Sequence, residues 1–318
     1  MAARPKMLIR SSLAQTYVVK PALTRILLLL LLGALTAGAT VAGQDRLPGA
    51  VVERAPARRI VSLVPALTEM LFAFGAGPQV VAVSSYDDFP PAVKALPHVG
   101  ALLDPDVERI LTLRPDLVLT YGSQSGLEAQ LTQAGIRIFS YRHGGIQTIL
   151  QTIRDLGVVT GRAADAERQA RDIEAQLAGV RNRVKGVARP RVLLVFGRQP
   201  QSLRQMYVTG GVGFLNDILE TAGGANVFAD VAQESVQPSQ ETLLARAPDV
   251  IVEIRSGRSD APIDATGDRR AWAPLASIPA VRSARIHFLS GAQLVVPGPR
   301  VGVAAEQLAR VLHPEAFK

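Results

Sequence analysis

"ERILTLRPDLVL" (108–119) returns in altered words as "ETLLARAPDVIV" (241–252). In both copies a glutamate opens an apolar run, Pro-Asp follows at the same offset (Pro115-Asp116, Pro248-Asp249), and β-type residues close the segment. The shared positions lie 133 residues apart. Proline restrains the residue before it and cannot continue a helical hydrogen-bond ladder, so each copy reads as helix, stop, strand. Glu108 and Glu241 then fall near helix N-termini, where the macrodipole favours a carboxylate. Two readings suit the pair: capping electrostatics on solvated helices, or one carboxylate per lobe offered to a partner with two basic sockets.

Working outward, "RIVSLVP" is a short apolar run, and "PALTEMLFAFGAG" has helical spacing with proline in the first turn and glycine at the end. "QVVAVSS", "PDLVLTY" and "IRIFSY" read as strands, with helices in "DPDVERILTLR" and "GLEAQLTQAG" between them. Alternating β and α with continuous rather than period-two apolar strands predicts a mostly parallel sheet covered on both faces. Residues 146–187 lack proline and keep helical spacing between charges, which predicts one long connecting helix, with a break near Gly161 as the weak point. After it "RPRVLLVFG", "PDVIVEI" and "IHFLS" read as strands, and "GGVGFLNDILETAGG", "SQETLLARA" and "PRVGVAAEQLARVLH" as helices. The expected architecture is α/β: two Rossmann-like lobes, 59–145 and 188–318, joined by a long rigid α-helix with a ligand cleft between them. The duplicated segment is then the same unit used once in each lobe.

The amino terminus reads differently. Arg4, Lys6, Arg10, Lys20 and Arg25 precede an apolar run at 26–42 whose second half is small-residue rich, the pattern of a secretory signal peptide over 1–42, followed by a linker at 43–58. The run of 17 residues sits at the short limit for a spanning helix, which needs roughly 20. Removing 1–42 removes five basic and no acidic residues, so the formal charge falls from +8 to +3. The remaining basic residues are interspersed with acids, which argues against a nucleic-acid partner. There is no cysteine, hence no disulfide framework and no lipid-anchored lipoprotein, and the remaining length can bury a core unaided.

Chemistry-bearing motifs are mostly absent. "YGSQSGL" fails as a nucleophile elbow because Gln124 stands where the serine must be. "TGGVGFL" (Gly210, Gly211, Gly213) lacks dinucleotide and P-loop spacing and reads as a tight turn into a helix or as an anion cradle. His98, His143, His287 and His313 lack metal-ligand spacing, so no resident metal or cofactor is expected. Ligands in open α/β sheets bind at the carboxyl ends of strands, which selects Tyr86, Asp87, Tyr121, His143 and Arg198, with Arg204 and Tyr207 nearby. Rings can stack on a flat ligand, and guanidinium groups can take carboxylates as a fork.

From Arg59 to Leu312 the chain resembles the periplasmic substrate-binding proteins of ABC importers for cobalamin, ferric siderophores or haem. "RIVSLVPALTEMLFAFG", "VVAVSSYDDFPP", "VERILTLRPDLVL", "TGGVGFLNDILETAGGANVFAD" and "SQETLLARAPDVIV" carry the likeness. The resemblance implies two lobes about a connecting helix that allows only small closure, a metal chelate clamped between them, and Glu108 and Glu241 docking on arginines of a membrane permease. It also implies that Tyr86 is a cleft tyrosine, and it puts Leu102, Leu103 and Tyr121 where cobalamin-type proteins tend to carry tryptophans. Trp272, the sole tryptophan, falls in a late loop. Arg198, Arg142 and Tyr207 are then candidate contacts for haem or an iron-siderophore. The expected function is capture of such a chelate by a periplasmic monomer without catalysis; the alternatives are an exported hydrolase-like enzyme and a ligand sensor.

Overall fold

A computed structural model describes residues 55–255 and 265–318; the signal segment and residues 43–54 of the linker lie outside them. The first sheet is built from β1 (Ile60–Ser62), β2 (Val80–Val83), β3 (Leu117–Tyr121) and β4 (Arg137–Tyr141), parallel throughout in the order β2-β1-β3-β4. Helices α1 (Pro65–Ala73), α2 (Val107–Thr112) and α3 (Ser125–Gln133) make the crossovers. After α4 (Ile146–Thr160) and α5 (Ala163–Arg183), the second sheet forms from β5 (Arg191–Gly197), β6 (Tyr207–Thr209), β7 (Ala225–Asn226), β8 (Ser235–Val236), β9 (Val250–Arg255) and β10 (Ile286–Ser290). Its helices are α6 (Phe214–Thr221), α7 (Gln240–Arg246), α8 (Ala265–Arg270), α9 (Pro279–Arg282) and α10 (Val301–Leu312). The order is β10-β9-β5-β6-β8, with β6 and β8 antiparallel and β7 paired beside the start of β5. The short antiparallel extension has too few residues to leave a periodic trace in the sequence.

The stretch expected as one helix is two. Gly161 takes a left-handed conformation, φ 72°, and Arg162 N–H returns to the Gly157 carbonyl at 2.7 Å, a Schellman closure. Helices α4 and α5 then pack side by side, with Arg154 reaching both Glu167 and Glu174 across the turn. The single connecting helix is therefore α5, 21 residues and about 30 Å long. A Cβ on Gly161 would lie 2.9 Å from the Pro56 ring and force a left-handed alanine. Gly161→Ala should cost about 1–2 kcal/mol in urea unfolding; an unchanged midpoint would show the turn to be permissive.

One apolar core runs unbroken from the first sheet (Ile60, Leu117, Leu119) through α4 and α5 (Ile153, Ile173, Leu177) to the second sheet and α10 (Val192, Val252, Leu308). Each sheet covers its other face with a core of its own, Val61, Val118 and Leu131 in the first lobe, Leu193, Ile251 and Trp272 in the second. The lobes are also tied by polar contacts. Asp217 on α6 accepts the Ile146 N–H at the start of α4, 2.8 Å, an approach that only glycine at 145 permits because a Cβ there would sit 2.3 Å from the carboxylate. Arg300, just before α10, donates twice to the buried Glu69 of α1, at 2.8 and 2.5 Å.

Candidate functional site

Strands β3 and β4 run parallel with Tyr121 directly opposite Tyr141, so both rings arrive at the carboxyl edge of the first sheet. Two residues on, the chain turns and brings His143 onto them, with ring centroids 5.3 Å from each tyrosine and 6.2 Å between the tyrosines. Partial burial lowers the His143 pKa, against the pull of the Glu234 carboxylate, so the imidazole is neutral at neutral pH. Burial pushes the phenols of Tyr121 and Tyr141 up, and neighbouring negative charge adds to it. The Tyr141 hydroxyl is buried and has no hydrogen-bond partner among the described residues.

Facing this cluster, a cavity of about 260 Å³ is lined by His143 from the first lobe and by Phe196, Val212, Phe214, Glu234 and Val295 among the second-lobe residues. The surface is mostly apolar, with an imidazole and a carboxylate as its polar marks. An apolar lining with a few placed polar groups is the composition of a small-molecule site. Tyr207, 39% exposed, does not line the cavity; its ring lies 6.3 Å from that of Phe196, which does. Tyr141, Phe196 and Glu234 are absent from the sequence reading. The first two close strands at the carboxyl edge and so obey the same rule that selected Tyr121; Glu234 sits in a segment with no pattern to find it.

Other expected contacts fall elsewhere. Tyr86, 58% exposed, lies on the loop after β2, and Arg142 and Arg204 are exposed, but none of them lines the cavity. Asp87 is 2% exposed and does not line the cavity: its Oδ2 accepts the N–H and hydroxyl of Ser84, at 2.8 and 2.6 Å, so it folds the loop that carries Tyr86. Burial pushes its carboxyl up, against those hydrogen bonds. Arg198 is a plain correction. Its side chain is 1% exposed and is consumed by Glu253, Asp268 and the Gln199 and Ser202 carbonyls, because β5, β9 and α8 converge around it. Trp272 is buried in the same place, its indole N–H on Glu253 at 2.6 Å. Of the glycines of 210–213, Gly210 and Gly211 have their N–H groups taken by the Glu234 and Val231 carbonyls, which leaves neither free for an anion. Among the described residues no cluster of histidine, aspartate and glutamate is arranged to hold a metal ion, and no helix is long and apolar enough to cross a membrane.

The duplicated segment is duplicated in space as well. Both helices end on a left-handed residue before the proline, Arg114 at φ 47° and Ala247 at φ 41°. In each lobe an arginine side chain caps the same last carbonyl, Arg59 on Leu113 at 2.6 Å and Arg191 on Arg246 at 2.5 Å. The Pro-Asp aspartates do more than stop a helix: Asp116 accepts the Arg58 and Arg59 N–H groups and Asp249 that of Arg191, pinning the start of β1 and β5. Caps are likewise supplied by neighbours, Asp106 accepting the Arg109 N–H and Ser239 that of Thr242. The exposed Glu108 and Glu241 are therefore not required as caps. A hydrogen bond from Ser239 holds the Glu241 carboxyl below its ordinary value.

Comparison with known proteins follows the same outline. The periplasmic binding protein family matches residues 60–291. The vitamin B12-binding protein of Salmonella paratyphi A is 31% identical over 258 residues, covering 80% of this chain and 90% of that one. Its counterpart from Yersinia pestis is 31% identical over 256 residues, covering 80% and 86%. Among solved structures, the periplasmic vitamin B12-binding protein BtuF of Vibrio cholerae superposes with a TM-score of 0.68 at 28% identity, over 83% of this chain and all but 1% of that one, its coverage being 99%. The haem-binding protein RhuT of Roseiflexus sp. RS-1, in apo form, gives 0.68 at 29% identity, covering 81% and 99%. With both sheets and the helix between them inside the matched span, the chain belongs to the periplasmic binding protein family, the substrate-binding class of ABC importers.

Proposed function

We propose that the protein binds a metal-bearing macrocycle or chelate, of the cobalamin, haem or ferric-siderophore kind, between its lobes and passes it to an ABC permease. The observation that carries this is the pairing of walls: His143 on one lobe, backed by the rings of Tyr121 and Tyr141, and Phe196, Phe214 and Val295 on the other. Rings offer stacking area to a flat ligand. A neutral imidazole also suits a metal centre or a hydrogen-bonding edge, and a buried phenol with no partner suits a polar group of the ligand. In this reading residues 1–42 are removed on export, the mature chain works in the periplasm, and Glu108 and Glu241 dock it on the permease. The vitamin B12-binding and haem-binding relatives support the same class.

The test is calorimetric titration of the processed protein with cobalamin, haemin and a panel of ferric siderophores. One compound should bind one-to-one, and His143→Ala should weaken it about tenfold, roughly 1.4 kcal/mol. Trp272 is buried away from the cavity, so ligand absorbance is the better optical probe. Affinity should hold from neutral to alkaline pH and fall on acidification as His143 gains a proton. Binding of none of these compounds, or a His143→Ala variant with unaltered affinity and pH profile, would overturn the reading.

A further inference from the structure

The glutamates are not the only side chains that the two copies hold in common. Three residues after each stands a leucine, Leu111 and Leu244, and each is 41% exposed. The preceding positions do the opposite: Ile110 and Leu243 are buried at 0% and 1% and anchor their helices to the lobes. On a helix, residues three apart share a face, so Glu108 stands over Leu111 and Glu241 over Leu244. With their anchors and caps supplied by other residues, neither leucine is needed to hold its helix down.

Topology adds where this face lies. Helix α2 runs through a tight turn into β3, and α7 likewise into β9. A helix that hands over to a parallel strand in this way travels against it, so its first turn lies at the carboxyl edge of the sheet. That edge carries Tyr121 and Tyr141 in the first lobe. Both glutamate-leucine pairs therefore flank the side on which the cleft opens. A chain that presents one surface element twice, once per lobe, fits a partner that presents the matching element twice, as two copies of one subunit about a two-fold axis do.

We propose that Leu111 and Leu244 are the apolar half of a duplicated docking contact, so that each lobe offers a carboxylate and a leucine to a socket with a basic and an apolar side on each of two equivalent permease subunits. This rests on the docking reading of Glu108 and Glu241 and specifies what lies beside them. The carboxylates steer the approach and lose force in salt, whereas the leucines add contact area that salt does not weaken.

The experiment measures saturable binding of the fluorescently labelled, processed protein to inner-membrane vesicles from its own bacterium. Leu111→Ser and Leu244→Ser should each weaken binding about fivefold, and the double variant about 25-fold, as expected for partial burial of one leucine at each of two independent contacts. Thermal unfolding and ligand affinity should be unchanged, and the residual binding should keep its salt dependence. Glu108→Lys with Glu241→Lys is the control for the underlying reading and should abolish saturable binding. If the glutamate variant fails while the leucine variants bind like the parent, docking stands and the apolar half is wrong. A loss confined to one leucine overturns the duplication, and full binding by the glutamate variant overturns docking and this inference with it.

Discussion

Replacing Arg198 by methionine should lower the unfolding free energy by about 3–5 kcal/mol, the cost of removing one partner from a buried ion pair. The guanidinium lies between two carboxylates, donating to Glu253 at 3.0–3.1 Å and to Asp268 at 3.1 Å, with side chains 1% and 8% exposed. Arg255 touches the same two acids at 2.7 Å, so one cation would remain for two buried anions. Arg198 also gathers the Gln199 and Ser202 carbonyls, each at 3.0 Å, and Gln201 N–H meets Asp268 at 3.0 Å, so the loop leading to Tyr207 hangs on this network. Arg198→Lys should recover only part of the loss, since one ammonium cannot reproduce a fork that serves two acids and two carbonyls.

The sign with pH follows from Asp268. Burial pushes its carboxyl up, but the Gln201 N–H and the Arg255 and Arg198 charges outweigh it and hold the folded value below the ordinary one. The stabilisation is therefore full above the unfolded value, about 3.9, and is lost as pH falls through the lower folded one. Parent and variant should stay apart down to about pH 4 and converge below it. Urea unfolding followed by Trp272 emission reads this directly, because the indole is buried on Glu253. A variant of undiminished stability that binds its ligand poorly would return Arg198 to the cleft.

What the sequence made legible is what repeats or alternates. The helix-stop-strand unit showed twice, so two α/β lobes could be read before any coordinates; continuous apolar strands gave the parallel sheets and their covered faces. The strand-end rule picks out Tyr121 and His143, whose rings the structure brings together at the carboxyl edge of the first sheet, because position along a strand is a local property. It aimed Arg198 at the cleft for a physical reason: an arginine at a strand end looks the same whether it meets a ligand or a buried carboxylate. The difference lies in Glu253 and Asp268, 55 and 70 residues away along the chain. The side-by-side packing of α4 and α5 was hidden similarly, since Gly161 marks a break without giving its angle. Glu234 and Phe196 become site residues only when the second lobe is folded against the first.

Arg300→Met should strand the carboxylate of Glu69, 4% exposed, and cost about 3–5 kcal/mol at neutral pH, with an effect on the cleft as well as on stability. The pair joins α1 of one lobe to the start of α10 in the other, and the guanidinium also stands 4.2 Å over the ring of Phe89, on the loop that bears Tyr86. Burial pushes the Glu69 pKa up; Arg300 pulls it down by hydrogen bond and charge without cancelling the rise, and Asp87 adds to it. Because the folded value exceeds the unfolded one, the contribution of this group is full below about pH 4.3 and is lost as pH rises through the folded pKa. Without Arg300 that folded pKa climbs further. The gap between parent and variant should therefore be widest near pH 7.5 and shrink toward pH 4.5, where a neutral Glu69 no longer needs its partner. Unfolding curves at the two pH values decide it, and an equal gap at both would mean that packing of the arginine, not its charge, holds the lobes. If the charge does, small-angle scattering of the variant at pH 7.5 should show a broader molecule, and ligand affinity should fall by the fraction of molecules whose lobes no longer stand at the binding distance.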